Sequence, residues 1–453
     1  MADDHVLEEH PTTRLHHLRR ALESGTLQHV RRMLKALHPA EIANLLESLP
    51  PAERKIVWEL VDPESDGEVL LHVNDEVREG LIRDMDLEEL VAATEGMDLD
   101  DLADLLQDLP EAVSRELLRS MDLQNRQRLE AVLSYPEDSA GGLMNTDTIT
   151  VRADVTVDVV LRYLRLRGHI PEQTDNLIVV DRRDKYLGVL PLSQLLIQPP
   201  ETPVAEVMRR DVPGIPATLP AAEVVKVFEQ RDFISTPVVN DEGILLGRIT
   251  IDDVVDVIRD QAEHNLMSMA GLDEQVDMFA PVVASIRRRA VWLGINLITA
   301  FAAASVIGQF EDTLEKIVAL AVLMPVVASM GGIAGSQTLT LVIRGLALGQ
   351  VDHSNARLLM LKELMVGALN GLVFAMVVAG IAIIWFGDLG IGGIIGIAIV
   401  INLLCAALAG VVIPLILHRL GIDPALAGGM MLTTVTDIVG FFAFLGLATL
   451  LLL

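Results

Sequence analysis

The stretch 425–453 reads ALAGGMMLTTVTDIVGFFAFLGLATLLLL, apolar except for Thr433, Thr434, Thr436, Asp437 and Thr449. A helix needs about 20 mostly apolar residues to cross roughly 30 Å of hydrocarbon, so this run reads as a membrane span. Asp437 comes twelve residues after Ala425, about 18 Å along a helix rising 1.5 Å per residue and close to mid-membrane. A carboxylate is costly at that depth and faces a bundle interior or an ion pathway. Three readings stay open from the residues alone. The group is protonated and hydrogen-bonded to a neighbouring helix, it relays protons, or it meets a cation.

Four more runs upstream have the same character, at 290–307, 317–343, 364–386 and 391–417, and no Lys or Arg lies deep in any of them. Arg287, Arg288 and Arg289 precede the first span; Arg344, Arg357 and Lys362 lie in the second connection, and His418 and Arg419 in the fourth. The opposite connections carry Glu311, Asp312 and Asp388. Positive flanks mark the cytoplasmic side, which puts the amino end inside and the carboxyl end outside, as an odd number of spans requires. The second span contains Pro325 and the run Gly331-Gly332-Ile333-Ala334-Gly335-Ser336-Gln337. It reads either as a kinked, pore-lining helix or as a helix packed closely through small residues.

The rest of the chain is different in kind. From residue 281 onward there are eight basic and eight acidic residues, so the whole net charge of −28 lies before it. At about 150 residues per domain, 453 residues allow roughly three domains. An acidic soluble half argues against nucleic acid, because phosphate neutralisation needs a basic face. The single cysteine, Cys405, excludes a disulfide framework and a multi-Cys metal site. The start, MADDHVLEEH, is acidic and has no apolar core, so it does not read as a secretory signal.

Residues 1–134 alternate apolar and acidic positions at helical spacing. Ile42-Ala43-Asn44-Leu45-Leu46-Glu47-Ser48-Leu49-Pro50 repeats as Leu102-Ala103-Asp104-Leu105-Leu106-Gln107-Asp108-Leu109-Pro110, which predicts a stack of helical repeats. On spacing alone its acidic rows read as solvated faces. After Tyr135-Pro136-Glu137-Asp138 come two units, at 135–200 and 201–260, each passing from helix to strand, turn, strand and helix. Their strands are Leu177-Ile178-Val179-Val180-Asp181 with Tyr186-Leu187-Gly188-Val189-Leu190-Pro191-Leu192, and Ser235-Thr236-Pro237-Val238-Val239-Asn240 with Leu246-Gly247-Arg248-Ile249-Thr250-Ile251-Asp252-Asp253. This duplication resembles a tandem pair of CBS domains, α/β units that often bind adenine nucleotides or metal ions. A helical stretch at about 251–289 is expected to join the pair to the first span. The fold class is therefore a multidomain membrane protein: an all-α helical-repeat domain (1–134), an α/β tandem CBS pair, a connecting helix (261–289) and an α-helical five-span transmembrane domain (290–453).

The whole order resembles the MgtE family of magnesium transporters and channels. The residues that carry the resemblance are Tyr135-Pro136-Glu137-Asp138-Ser139-Ala140-Gly141-Gly142-Leu143-Met144, the run from Pro325 to Gln337, Lys362-Glu363, and Asp423-Pro424-Ala425 followed by Thr433-Thr434 and Asp437. The resemblance implies a homodimer in a bacterial inner membrane with one pore between two membrane domains. Asp437 would contribute to the ion site from both subunits, with Thr433, Thr436 and Ser336 lining it. Magnesium dehydrates reluctantly and keeps several waters, so two carboxylates flanking a hydrated ion would select by charge without stripping its shell. The resemblance further implies that cytosolic Mg2+ closes the pore by bridging carboxylates of the soluble domains, here Asp100, Asp104, Asp252, Asp253, Asp256, Asp260 and Glu263. Thr250 and Asp253 fit the CBS pattern that meets ribose hydroxyls, so ATP enters as a regulatory ligand; the first unit has Pro191 at the corresponding position.

The chain departs from the family pattern at three places. Ile333 stands where the family usually carries an asparagine, Gly429-Met430 where a polar residue and proline usually stand, and the connecting helix offers Arg259, Gln261, His264 and Asn265 in place of denser acid. The last departure implies closure at higher cytosolic magnesium than in relatives with the full acidic helix. Two rival readings are a proton-coupled secondary transporter with Asp437 as relay, and a non-conducting, membrane-anchored nucleotide sensor. The sequence has no Gly-rich Lys-Ser/Thr phosphate loop and no His/Asp/Glu cluster at catalytic metal spacing, so an enzyme is not expected. Cobalt, manganese and nickel stay open beside magnesium, since oxygen donors discriminate by size and flexibility.

Overall fold

The computed structural model describes every residue except 1–10, 24–26, 96, 108, 110, 172, 273–276 and 353, and the side chains of 11–14, 23, 111 and 112. The acidic start, and Asp108 and Pro110 of the second repeat copy, lie outside the described residues. The chain forms two compact units, Met1–Glu263 with Gln275–Ala280, and His264–Glu274 with Pro281–Leu453.

The first unit begins with short helices: α1 (Pro11–Glu23), α2 (Leu27–Leu34), α3 (Pro39–Glu47), α4 (Pro51–Trp58), α5 (Asp66–His72), α6 (Asp75–Asp84), α7 (Leu87–Thr94), α8 (Leu99–Gln107), α9 (Glu111–Ser120) and α10 (Leu123–Val132). Their starts are written locally. Pro39 and Pro51 occupy first-turn positions where a missing N–H costs nothing. Asn74, Asp86 and Asp122 are N-caps whose side chains accept from backbone N–H groups of the first turn.

A recurring device then closes helix C-termini, whose last carbonyls have no partner within the helix. Arg54 Nε donates to the Leu46 carbonyl and Nη2 to the Leu49 carbonyl, both at 2.9 Å. Arg78 does the same to Leu70 at 2.9 Å and Val73 at 3.2 Å. The Ser114 hydroxyl reaches Leu106 at 3.1 Å and Leu109 at 3.4 Å. Each donor stands eight and five residues after its acceptors, so the repeat has a copy on α5 beside those on α3 and α8. That copy buries Gly67, Val69 and Leu70 where the others bury Ala43, Leu45, Leu46 and Ala103, Leu105, Leu106. Its Asp66-Gly67-Glu68-Val69-Leu70-Leu71-His72 hides the pattern, because the Leu-Leu pair and the terminal Leu-Pro are altered.

Two three-stranded sheets follow. β1 (Thr150–Arg152) runs parallel to β2 (Asn176–Val180), which pairs antiparallel with β3 (Tyr186–Pro191). β4 (Ile215–Pro216), β5 (Ser235–Val239) and β6 (Leu245–Thr250) repeat that arrangement. α11 (Val157–Arg167) and α14 (Ala221–Arg231) cross between the first and second strands of each sheet, and α12 (Leu192–Ile197) and α13 (Val204–Val207) link the units. The duplication read from the sequence is thus present, with an added two- or three-residue first strand in each copy.

α15 (Ile251–Met269) follows β6. The expected helix to residue 289 is interrupted. α15 stops at Met269, Gly271 takes φ +68°, and a new helix starts at Val282 with Pro281 as its N-cap. Left-handed φ at glycine ends helices, and proline has no N–H to continue one.

The second unit holds five helices long and apolar enough to cross a membrane: α16 (Val282–Gly308), α18 (Ala319–Ala347), α19 (Ala356–Phe386), α20 (Leu389–Arg419) and α21 (Pro424–Leu452); the short α17 (Glu311–Lys316) lies between the first two. α18 continues through Pro325 and the glycine run. A Cβ on Gly331 would lie 2.3 Å from Nδ2 of Asn402, and one on Gly440 of α21 2.7 Å from the same atom. Asn402 is fully buried and donates to the Val327 carbonyl at 2.9 Å, so its carboxamide pins three helices together. Gly440→Ala should therefore lower stability by about 1–3 kcal/mol, the usual cost of overpacking. Thermal unfolding of the detergent-purified variant checks this, and combining it with Asn402→Ala should recover part of the loss.

Candidate ion pathway and cytosolic acidic cluster

Close approach sets the register of α18 against α21. A Cβ on Gly335 would lie 2.8 Å from Leu432 Cδ1, and one on Gly428 3.1 Å from Leu339 Cδ1. The helices therefore run antiparallel, with Thr433 at the level of Ala334 and Ser336 at the level of Met431, about 3 Å apart along the axes. Asp437 stands one turn further along α21, at the level of Met330 of α18. Thr433 and Asp437 are four residues apart and share one helix face. Thr433 and Ser336 are exposed on the single chain and Asp437 is half-buried. Their hydroxyls are locally satisfied, Thr433 by the Gly429 carbonyl at 3.0 Å and Ser336 by the Ile333 carbonyl at 2.9 Å, which leaves lone pairs to accept from a hydration shell.

Thr436 does not join them. It is fully buried, and its hydroxyl donates to the Thr433 carbonyl at 3.0 Å. One residue on an α-helix is a 100° rotation, which turns Thr436 into the bundle while Asp437 stays at its surface. The expectation that both line one pore is corrected accordingly. Ile333 is 58% exposed at the level of Thr434, so an apolar side chain stands between the levels of Thr433 and Asp437.

The soluble carboxylates divide among three places. Asp98, Asp100 and Asp101, at the start of α8, bring their oxygens within 4.8 Å of one another. Asp100 is buried and accepts from Asn145 Nδ2 at 3.2 Å. Burial, then Asp101 and Asp98, raise its pKa. Burial, then the facing Asp100 and Asp252, raise that of Asp253. Asp101 is pushed up to about 7 by burial and by Asp253, Asp98, Asp104 and Asp252. Asp252 accepts from Gln173 Nε2 at 3.0 Å, and the Thr250 hydroxyl sits between Asp252 and Asp253. Asp256 and Asp260 pair with Arg259 at 3.2 and 3.3 Å, and Asp256 stands one turn past Asp252 on α15, its pKa raised first by burial and then in part by Asp260 and Asp252. Glu263 lies near Glu47, whose pKa is raised first by burial and then in part by Glu263. The structure thus unites Asp100, Asp104, Asp252 and Asp253, adds Asp98 and Asp101, leaves Asp256 at its edge beside Asp252, and sets Asp260 and Glu263 apart. Sequence reading passed over Asp98 and Asp101 because Asp98-Leu99-Asp100-Asp101 looks like an ordinary acidic first turn favoured by the helix dipole.

An all-oxygen donor set crowded with negative charge suits a hard divalent cation. A carboxyl whose folded pKa lies above its unfolded value favours the fold below the unfolded pKa, and that favour is lost as pH rises through the folded value. Between the ordinary carboxylate value near 4 and about 7 for Asp101, stability of the divalent-free protein should therefore fall with rising pH. Added magnesium should flatten that fall by replacing the protons. Thermal unfolding of the full chain across this range, with and without millimolar magnesium, checks both halves.

Residues 324–447 match the family model MgtE, described as a divalent cation transporter. Residues 37–138 match the MgtE intracellular N domain, and 140–198 and 204–260 each match the CBS domain. The magnesium transporter MgtE of Thermus thermophilus is 34% identical over 404 residues, covering 88% of this chain and 90% of the relative. The chain belongs to the MgtE family. A second MgtE magnesium transporter, from Bacillus subtilis, is 31% identical over 353 residues, 78% of each chain. The solved cytosolic domain of the Mg2+ channel MgtE in complex with ATP is 34% identical, matches 53% of this chain and 98% of its own length, and gives a TM-score of 0.49. MgtE is a divalent cation transporter family rather than an enzyme family, and its five apolar helices make this member a membrane protein.

Proposed function

We propose that this MgtE-family chain is a homodimeric magnesium channel or transporter of a bacterial inner membrane, amino end inside and carboxyl end outside, closed by cytosolic magnesium. The observation that carries the reading is Asp437. It is an acid near the middle of α21, a helix with no basic residue, half-buried on one face with Thr433, with Ser336 about 9 Å further toward the cytoplasmic end of α18. Paired across a two-fold axis, two such carboxylates would compensate a cation that retains most of its water. Thr433 and Ser336 would accept hydrogen bonds from those waters.

The gate in this reading is the cluster of Asp98, Asp100, Asp101, Asp104, Asp252 and Asp253. A cation that binds only the arrangement with these groups together shifts the population toward it. Asp256, Asp260 and Glu263 are weaker candidates, since Arg259 already neutralises the first two. ATP remains a regulatory ligand for Thr250 and Asp253. Because Asp253 also faces Asp100, nucleotide and divalent cation would compete for the same carboxylate.

The test is flux into liposomes holding the purified protein, with magnesium, cobalt, manganese and nickel compared at low and high internal magnesium. The reading expects magnesium entry that internal magnesium suppresses. No flux of any divalent ion would support a non-conducting sensor instead.

A further inference from the structure

The Arg54 guanidinium has a second engagement besides closing α3. Its Nη1 donates to Oδ2 of Asp277 at 2.8 Å and its Nη2 to Oδ1 at 2.9 Å, a parallel, two-bond pairing across 223 residues of chain. Both side chains are buried, Arg54 6% and Asp277 4% exposed. The backbone N–H of Asp277 donates to Glu76 Oε2, in the first turn of α6, at 2.7 Å, and its Oδ1 accepts from the N–H of Phe279 at 2.8 Å. Three charged side chains and a local turn therefore hold this short segment. Its residues group with the soluble domains, yet Val282, five residues after Asp277, begins the first membrane helix.

We propose that Arg54, Glu76 and Asp277 form a latch by which the helical-repeat domain holds the chain entering the first membrane helix, and that opening the channel releases it. The proposal rests on the gated-channel reading above. Two observations separate the latch from a fixed brace. Arg54's structural duty is complete without Asp277: Arg78 and Ser114 close the equivalent helices in the other repeats, and Arg78 pairs instead with Asp75 of its own helix. An Arg54 released from Asp277 would keep the Leu46 and Leu49 carbonyls and expose its remaining N–H groups to water, so the pair can part without leaving a charge stranded in the interior. The latch also uses none of the carboxylates of the magnesium cluster on α8 and α15. It gives movement of the helical domain a second route to the membrane, through the backbone at 277–281 rather than through α15.

Hydrogen exchange on the full chain in lipid, read at residues 277–280, tests the latch without any variant. The N–H groups of Asp277 and Phe279 should be protected at millimolar magnesium and lose at least about tenfold of that protection when magnesium is removed, within the usual range for coupled sites. In liposomes, Asp277→Ala should raise the internal magnesium needed for half-closure by about tenfold on the same grounds, with maximal flux unchanged; Asp277→Asn, which keeps the shape, should shift it less. Exchange at 277–280 that ignores magnesium, or an Asp277→Ala midpoint within about twofold of the parent, overturns the latch while leaving a gated channel in place. A parent protein that carries no magnesium overturns the channel reading and the latch together. If Asp277→Ala does not assemble, the exchange result on the unmodified chain decides.

Discussion

Asp437→Ala should abolish magnesium entry while the protein still folds and inserts. A charge near the bilayer centre without compensation costs about 3 kcal/mol or more, which is about a hundredfold in rate. Removing the carboxylate transfers that cost to the passing cation, and no basic or acidic residue elsewhere in α21 replaces it. The local fold should tolerate the change, because Asp437 is half-buried and the close packing of α21 runs through Gly428, Leu432 and Gly440. Growth of a bacterium deficient in magnesium uptake gives the first readout. Liposome flux, with the amount of inserted protein measured, gives the second. Full rescue by the alanine variant would remove Asp437 from the pathway.

The second large effect concerns closure. Deleting residues 1–134 removes Asp98, Asp100, Asp101 and Asp104, so a cation can no longer bridge them to Asp252 and Asp253. A ligand present at 100 times its dissociation constant stabilises the state it binds by about 2.7 kcal/mol. Losing that linkage should raise flux at millimolar internal magnesium by at least about tenfold. Flux measured over a series of internal magnesium concentrations checks it. An inhibition curve superimposed on that of the full chain would show that the helical domain has no part in the gate.

The parts of this architecture that depend on composition over many residues were legible in the sequence. Five apolar runs gave five helices, and a repeated pattern of strands gave two matching sheets. The helix ends were not, because α19 begins at Ala356 and α16 at Val282, where polar turns continue a helix beyond its apolar length. β4 has only Ile215 and Pro216, too short for any periodicity to mark it. The break after Met269 hung on one glycine in left-handed conformation and one proline, among many of each.

The site was legible in part for a similar reason. Asp437 announces itself by its cost in an apolar run. Thr436 differs from Thr433 only in which way the helix is turned, and that is settled by packing at Gly335, Leu432 and Asn402 rather than by spacing. Asn402 itself reads as one polar residue in a long span, and its importance appears only when Gly331 and Gly440 close on it. The acidic cluster needed residues some 150 positions apart to be brought together, which no local pattern encodes. Arg54 and Asp277 belong to the same class of information.

The most direct test of the central claim is the reversal potential of the purified protein in a planar bilayer under a tenfold magnesium gradient, with pH equal on both sides. Passage of a doubly charged ion past Asp437 predicts a reversal potential near 30 mV, the value for a two-charge carrier per decade, and no movement of it when a pH gradient is then imposed. A potential that stays at zero under the magnesium gradient, or that follows the imposed pH difference, contradicts it.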